Sequence, residues 1–235
     1  MNIYVVVPCF NEIRTIKKLI ESLININLKL KIILIDDGST DGTKQVISKH
    51  LRKKIFKFIN LKKNYGKGYA INCSKKYIKK NSYVIIQDAD LEYDPNDYYK
   101  LYNFFLKNKN INIVYGSRFL NKKFSKIYYS FGKSLIRIFG NKLLTIFSNF
   151  LNDQNLTDAH TCYKTFNSNI FKKIKLKEKG FSFCPEINTK IANEKLPIKE
   201  LPIKYFSRSK EMGKKITYLD AFLAIKTIIV CKYFS

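Results

Sequence analysis

The segment "QDADLEYDP", Gln87–Pro95, sets Asp88, Asp90, Glu92 and Asp94 within seven residues, directly after the apolar run "SYVIIQ". Carboxylates so close repel one another and each prefers water. The cluster is therefore either a solvated acidic turn or the place of a cation. In extended backbone Asp88, Asp90 and Glu92 project to one side. Three carboxylates on one side suit a hard divalent ion such as Mg2+ or Mn2+, which keeps open positions for the oxygens of a diphosphate. A second acidic segment, "DDGSTDG", begins at Asp36 and Asp37. Carboxylates there can hydrogen-bond a ribose or a base edge, or the same residues can make the N-cap and turn of a following helix.

Elements must hold these residues in place. The first 120 residues alternate between β-branched runs and stretches of helical spacing. "IYVVVP", "KIILIDD", "KKIFKFINL", "SYVIIQDAD" and "INIVYGSR" read as strands, and Glu12–Ile26, Gly42–Leu51, Gly68–Lys80 and Pro95–Lys107 as helices. That alternation predicts an α/β fold with a mostly parallel central sheet and helices on both faces. Ligands of such sheets sit at the carboxyl ends of the strands, which here carry "PCFNE", "DDGSTDG", "NYGKGYA", "DADLE" and "YGSR". Seven of the nine glycines fall in these segments or in "KGFSFCPE" and "SRSKEMGKK", and glycine permits tight turns and close backbone approach.

Composition narrows the class. A length of 235 residues with 46% hydrophobic content supports one folded domain with a full core. The net charge of +26 points to an anionic partner or to a Lys- and Asn-rich coding bias, since only five of the 44 basic residues are Arg. No nucleic-acid-binding motif accompanies the charge and the basic residues are dispersed, so nucleic acid is not expected as a partner. Cys9, Cys73, Cys162, Cys184 and Cys231 have no C-x-x-C spacing, and with His50 and His160 as the only histidines a zinc site is not expected. The thiols suggest a reducing cytoplasm. The chain enters a strand at once, so no signal peptide is expected, and no apolar run is long enough to span a bilayer.

In this order and spacing, "VPCFNE", "LIDDGSTDGT", "NYGKGYA", "QDADLEYDP" and "YGSR" resemble the family 2 inverting glycosyltransferases of the GT-A fold, and "YFSRSKEMGKK" resembles the arm of the polyprenyl-phosphate glycosyltransferases typified by dolichyl-phosphate mannose synthases. The resemblance implies a nucleotide-sugar-binding part over residues 1–120 and an acceptor- and membrane-facing part over 121–235, with a closing arm at 205–216. It implies that Pro8, Phe10 and Glu12 hold the donor nucleotide and that Ile35 and Asp37 contact base and ribose. Asp88, Ala89 and Asp90 match the D-x-D segment, with Asp90 the principal ligand of Mg2+ or Mn2+. Glu92, where relatives often carry Gln, is the second metal ligand. Arg118 matches an arginine near the sugar and phosphates, and Arg208 and Lys214 match the arm that closes over the donor. Asp88, Asp90 and Arg118 are the expected catalytic set. The segment "TDAHTCYK" departs from the family pattern, in which a Gly-Phe-Arg run follows the Asp.

The activity this implies is transfer of a hexose, foremost mannose from GDP-mannose, with inversion to a polyprenyl phosphate at the cytoplasmic face of the membrane. Transfer to a saccharide hydroxyl is the alternative, although the Q-x-x-R-W signature of processive synthases is absent because the chain has no Trp. Electrostatics fit a phosphate acceptor. Two dianions at about 6.5 Å repel by roughly 2–3 kcal/mol even in water, so fixed cations are required, and the scarce Arg118 and Arg208 stand in glycine-bearing segments. A phosphate is already ionised and needs no general base. A hydroxyl needs one, for which Asp158 and Glu186 are the candidates. From Phe131 to Asn152 polar residues including Lys133, Arg137, Lys142, Thr145 and Ser148 recur at helical spacing. With the apolar Ala221–Phe234 these make C-terminal amphipathic helices that either lie on an anionic membrane surface or face the core.

Overall fold

The computed structural model describes residues 2–120, 135–206 and 218–234. The chain begins as β1 (Ile3–Cys9), α1 (Ile16–Ile24), β2 (Leu30–Asp36), a helical segment (Thr43–Leu51), β3 (Lys57–Asn60), α2 (Lys67–Ser74), β4 (Tyr83–Ile86), α3 (Asp97–Lys107) and β5 (Ile113–Ser117). These are the elements expected from the alternation. α1 forms because Ile16, Leu19, Ile20 and Leu23 recur at helical spacing and are all buried. Burying each such side chain contributes about 1.5–3 kcal/mol.

The second half runs α4 (Leu135–Asn152), β6 (Lys164–Asn167), α5 (Ser168–Lys173), α6 (Phe183–Asn193), β7 (Lys199–Pro202) and α7 (Tyr218–Tyr233). The described strands make one sheet in the order β3-β2-β1-β4-β6-β5-β7, parallel except for β6. Every residue of β1, β4 and β5 is buried. Successive side chains of a strand point to opposite faces, so both faces of the sheet are covered.

β6 was not legible as a strand, and it decides where the site lies. Lying antiparallel between β4 and β5, it starts at the edge where those strands end, with Lys164 opposite Tyr115. The segment before it, Thr157–Tyr163, therefore reaches the same edge as "DDGSTDG", "DADLE" and "YGSR". β7 extends the sheet beside β5, and the chain then crosses back to bridge Tyr205 to Tyr93.

α4 and α7 pack against each other, and α7 also packs on α6. Among the described residues no helix is long and apolar enough to cross a membrane. Of the two orientations open to α4, it turns an apolar stripe outward and polar residues inward. Thr145, Ser148 and Asn152 are buried, and Asn152 Nδ2 donates to Thr189 Oγ1 of α6 at 3.2 Å. Phe139, Leu143, Ile146 and Phe150, spaced four, three and four residues apart, are exposed, Phe150 at 83%. Ile138 faces inward. Lys142 is exposed, and Lys133 lies outside the described residues.

Candidate functional site

At the β1–β2 edge the two loops are laced together by short polar side chains. Asn11, at φ +53°, receives the Thr40 amide on its side-chain oxygen at 2.8 Å and donates its own amide to Ser39 Oγ at 2.9 Å. The Glu12 amide donates to Thr43 Oγ1 at 2.9 Å. Asp36 is fully buried and takes the Ser39 amide. Of the residues expected to hold a nucleotide, Pro8 and Ile35 are buried neighbours across β1 and β2. Phe10 is half-buried. Glu12 is buried and accepts the Thr15 hydroxyl at 2.9 Å.

Asp37 serves the neighbouring loop. Its two carboxylate oxygens accept the Tyr65 and Gly66 amides at 2.9 and 2.8 Å. Burial pushes its carboxyl above the usual range despite these two donors. Gly66 has φ +99°, and a Cβ there would stand 2.4 Å from the Lys179 carbonyl oxygen. One residue beyond Lys67, a Cβ on Gly68 would stand 2.2 Å from the Glu178 oxygen. Only glycine lets these segments meet. The 177–180 segment is in turn fixed by Glu186, which accepts the Lys177 and Glu178 amides at 2.7 and 2.9 Å and pairs with Lys190 at 2.6 Å.

The acidic segment does not continue β4. The strand ends at Ile86, and Gln87 is fully buried, its Oε1 accepting the hydroxyls of Tyr98 and Tyr163, each at 2.7 Å. Leu91 then adopts φ +62°, and Asp90 Oδ1 accepts the Glu92 amide at 3.1 Å. This turn overturns the expectation that Asp88, Asp90 and Glu92 share one side, because it replaces extended backbone with a side-chain-stabilised reversal. Asp88 forms an ion pair with Lys67, the first residue of α2. Ala89 is buried and Asp90 is half-buried. Glu92 is 6% exposed and accepts the Tyr205 hydroxyl at 2.5 Å. Among the described residues no three His, Cys, Asp or Glu side chains converge on one metal position.

Arg118 is buried at the end of β5. It makes a two-pronged ion pair with Asp158, Nε to Oδ2 at 2.7 Å and Nη2 to Oδ1 at 2.8 Å, and its backbone amide adds a third bond at 3.1 Å. Its guanidinium lies 5.1 Å from the centre of the Tyr205 ring. The Asp158 segment is held from β7, where Glu200 accepts the Thr157 and Asp158 amides at 2.7 and 3.0 Å. It is also held from below, because the Ala159 carbonyl accepts Lys164 Nζ at 2.8 Å and Asn188 Nδ2 at 2.6 Å. Burial lowers the pKa of Lys164, whose ammonium lies 3.8 Å from the Tyr115 ring centre. His160 bonds the Leu144 carbonyl of α4, while its Nε2 is buried with no partner. Burial, reinforced by Lys164, lowers its pKa to about 4.

The structure thus brings Asp37, Asp88, Asp90, Glu92 and Arg118 to one sheet edge. Arg208 and Lys214 lie outside the described residues. Sequence reasoning missed Lys67, Tyr205 and the pairing of Arg118 with Asp158. Lys67 stands within the quoted "NYGKGYA", but its partner is a contact across the fold with no local signature.

The profile described as Glycosyl transferase family 2 matches residues 4–175. The chain is 31% identical to a poly-beta-1,6-N-acetyl-D-glucosamine synthase of Staphylococcus epidermidis over 86% of its own length, and spans about half, 47%, of that protein. It is 26% identical to the UDP-N-acetylglucosamine–dolichyl-phosphate N-acetylglucosaminyltransferase of Methanococcus voltae, over 98% of this chain and 96% of that one. Among solved structures it resembles the glucosyl-3-phosphoglycerate synthase of Mycobacterium tuberculosis, crystallised with Mn2+, uridine diphosphate and phosphoglyceric acid. The TM-score is 0.67 at 16% identity, covering 98% of this chain and 76% of that one. That likeness identifies the GT-A fold.

Proposed function

The chain belongs to glycosyl transferase family 2, and from that membership we propose that it transfers a glycosyl group, with inversion, from a nucleoside-diphosphate sugar to a polyprenyl phosphate. The observation that carries the choice of acceptor is the state of its carboxylates. A hydroxyl acceptor needs a general base, yet Asp158 is committed to Arg118 through both oxygens and Glu186 to two amides and Lys190. A phosphate acceptor needs no base. It needs oriented donors and positive charge. Asp158 fixes the orientation of the buried Arg118 guanidinium, which lies beside Tyr205, while offsetting its charge, and the net positive charge falls to Arg208 and Lys214 of the arm. Similarity to the Methanococcus voltae dolichyl-phosphate enzyme across nearly the whole of both chains supports the same reading.

Residues of the β1, β2 and β4 ends hold the donor, with Asp37 fixing the Tyr65–Gly66 backbone and Asp88 fixing Lys67 beside it. Arg118 faces the sugar and phosphates, and Arg208 and Lys214 of the arm complete the phosphate contacts. For the metal, a single carboxylate at Asp90 beside a diphosphate is a donor set that Mg2+ or Mn2+ accepts, because these ions take one or two carboxylates and draw the rest from substrate phosphates and water. When bound, the ion neutralises the departing diphosphate. Glu92, bonded to Tyr205, supports the turn that presents Asp90.

The relatives named with a donor or a bound nucleotide use uridine nucleotides, so a UDP-sugar leads the donor reading and GDP-mannose is the competing arm. The membrane-facing surface is the exposed apolar stripe of α4 together with Phe222 and Tyr233 of α7 and Phe234 just after it. Paired helices turning phenylalanines outward and hydroxyls inward make an interfacial surface. A lipid acceptor, a net charge of +26 and the exposed Lys142 suit an anionic bilayer. The purified protein, incubated with polyprenyl phosphate in anionic vesicles and a panel of UDP- and GDP-sugars, should release UDP. Release of GDP alone would reverse the donor assignment, and release of neither would overturn the activity.

A further inference from the structure

Lys67 joins three segments at the site that sequence reading treated separately. It leaves a backbone pinned on either side, by the Asp37 carboxylate on the Gly66 amide and by the contact of Gly68 with Glu178. Its ammonium pairs with Asp88, lies 3.1 Å from Cys162 Sγ, and stands 5.5 Å from the centre of the Phe183 ring. The two side chains of the ion pair are only 15% and 20% exposed. Burial works against charge on Lys67, but the Asp88 carboxylate outweighs it and holds the ammonium well above the ordinary lysine range. This is a fixed pair at the first carboxylate of the D-x-D segment, with both members anchored before any ligand arrives.

We infer that Lys67 is a positioning residue whose ammonium occupies Asp88 and keeps that carboxylate from the divalent cation, so that Asp90 is the chain's metal ligand and the donor's diphosphate completes the coordination. The inference rests on the metal-assisted donor reading above and deepens it. Two carboxylates and no internal cation would trap a divalent ion before the nucleotide binds. With Lys67 neutralising Asp88, one carboxylate is left to the ion, too few ligands to hold it alone but enough once the diphosphate brings the missing ligands and negative charge. The turn at Leu91 contributes by holding Asp90 through the Glu92 amide.

The test is Mn2+ binding followed by electron paramagnetic resonance, with and without UDP, on variants shown by circular dichroism to be folded. The wild type should bind Mn2+ weakly alone and more tightly with UDP. Lys67→Met should raise the affinity for Mn2+ without nucleotide by about tenfold or more, because Asp88 becomes available. Lys67→Arg should behave as the wild type, and Lys67→Met with Asp88→Asn should return to the wild-type affinity. Because the double variant leaves no ammonium unpaired, it also serves if the single lysine variant does not fold, and Asp90→Asn should abolish Mn2+ binding in every background. An unchanged Mn2+ affinity in folded Lys67→Met, or a tenfold loss in the Lys67→Met, Asp88→Asn double variant, overturns the role of Lys67 while leaving the metal reading intact. Absence of Mn2+ binding by the wild type even with UDP overturns both.

Discussion

Breaking the pair between Arg118 and Asp158 should cost stability in a way that identifies it as a unit. The side chains are 7% and 0% exposed and meet through two short bonds. Removing either partner leaves a buried, uncompensated group, which typically costs 3–5 kcal/mol. A domain of this size has roughly 5–15 kcal/mol in total, so each single variant should remain folded near room temperature but melt early. Once one partner is gone, removing the second costs little more. Urea unfolding of Arg118→Met, Asp158→Asn and the double variant should therefore give a coupling of about 2–3 kcal/mol. Each single variant should also slow transfer by about 10²–10³-fold, because a preorganised cation has lost its hold. The shape of the pH–rate profile should survive in Asp158→Asn, since Asp158 takes no proton from the acceptor. Additivity of the two substitutions within about 0.5 kcal/mol, or a residual rate in Asp158→Asn that climbs steadily with hydroxide, would refute this reasoning.

Asp90→Asn should abolish transfer, and retention of more than about a tenth of the wild-type rate with unchanged metal dependence would contradict its role. His160 has a folded-state pKa of about 4 against an ordinary value of 6.5. The unfolded chain therefore binds the extra proton between these values, and His160 contributes stability that is complete above pH 6.5 and lost as the pH falls toward 4. The loss is up to about 2–3 kcal/mol, and urea midpoints measured from pH 4 to 7 should fall less steeply in His160→Asn than in the wild type. Folded Ile146→Glu, Phe150→Glu protein should no longer float with anionic vesicles, whereas wild-type flotation should weaken with salt without vanishing; equal flotation of the two would show that the α4 stripe does not touch lipid.

The parallel half of the sheet was legible because its strands are unbroken apolar runs whose ends carry Gly, Asp and Asn, and because α1 and α3 repeat apolar residues at helical spacing. β6 and β7 were not. "KTFN" and "KELP" are four residues each, with no alternation, and they become strands because β4 and β5 offer them edges. The site was legible in its residue types and less so in their partners. Asp88, Asp90, Glu92 and Arg118 do gather at one edge, but the geometry of the acidic run turned on the positive φ at Leu91, a local reversal that an alternating acidic pattern conceals. Lys67, Asp158 and Tyr205 acquire their meaning from contacts between residues 21, 40 and 113 positions apart in the chain. The orientation of α4 stayed open in the sequence because its inward polar residues find their partners far along the chain, Thr145 accepting the Ala159 amide and Asn152 donating to Thr189 of α6.

The choice of a phosphate acceptor over a hydroxyl is tested most directly by presenting two lipids that differ in that group alone. Purified protein, a labelled UDP-sugar and Mn2+ should be incubated with vesicles containing either a polyprenyl phosphate or the corresponding polyprenol, with a soluble oligosaccharide supplied in parallel. Incorporation into the phosphate-bearing lipid, with none into the alcohol or the oligosaccharide, is the predicted result. Label in the oligosaccharide or the alcohol, with the polyprenyl phosphate unlabelled, would contradict it.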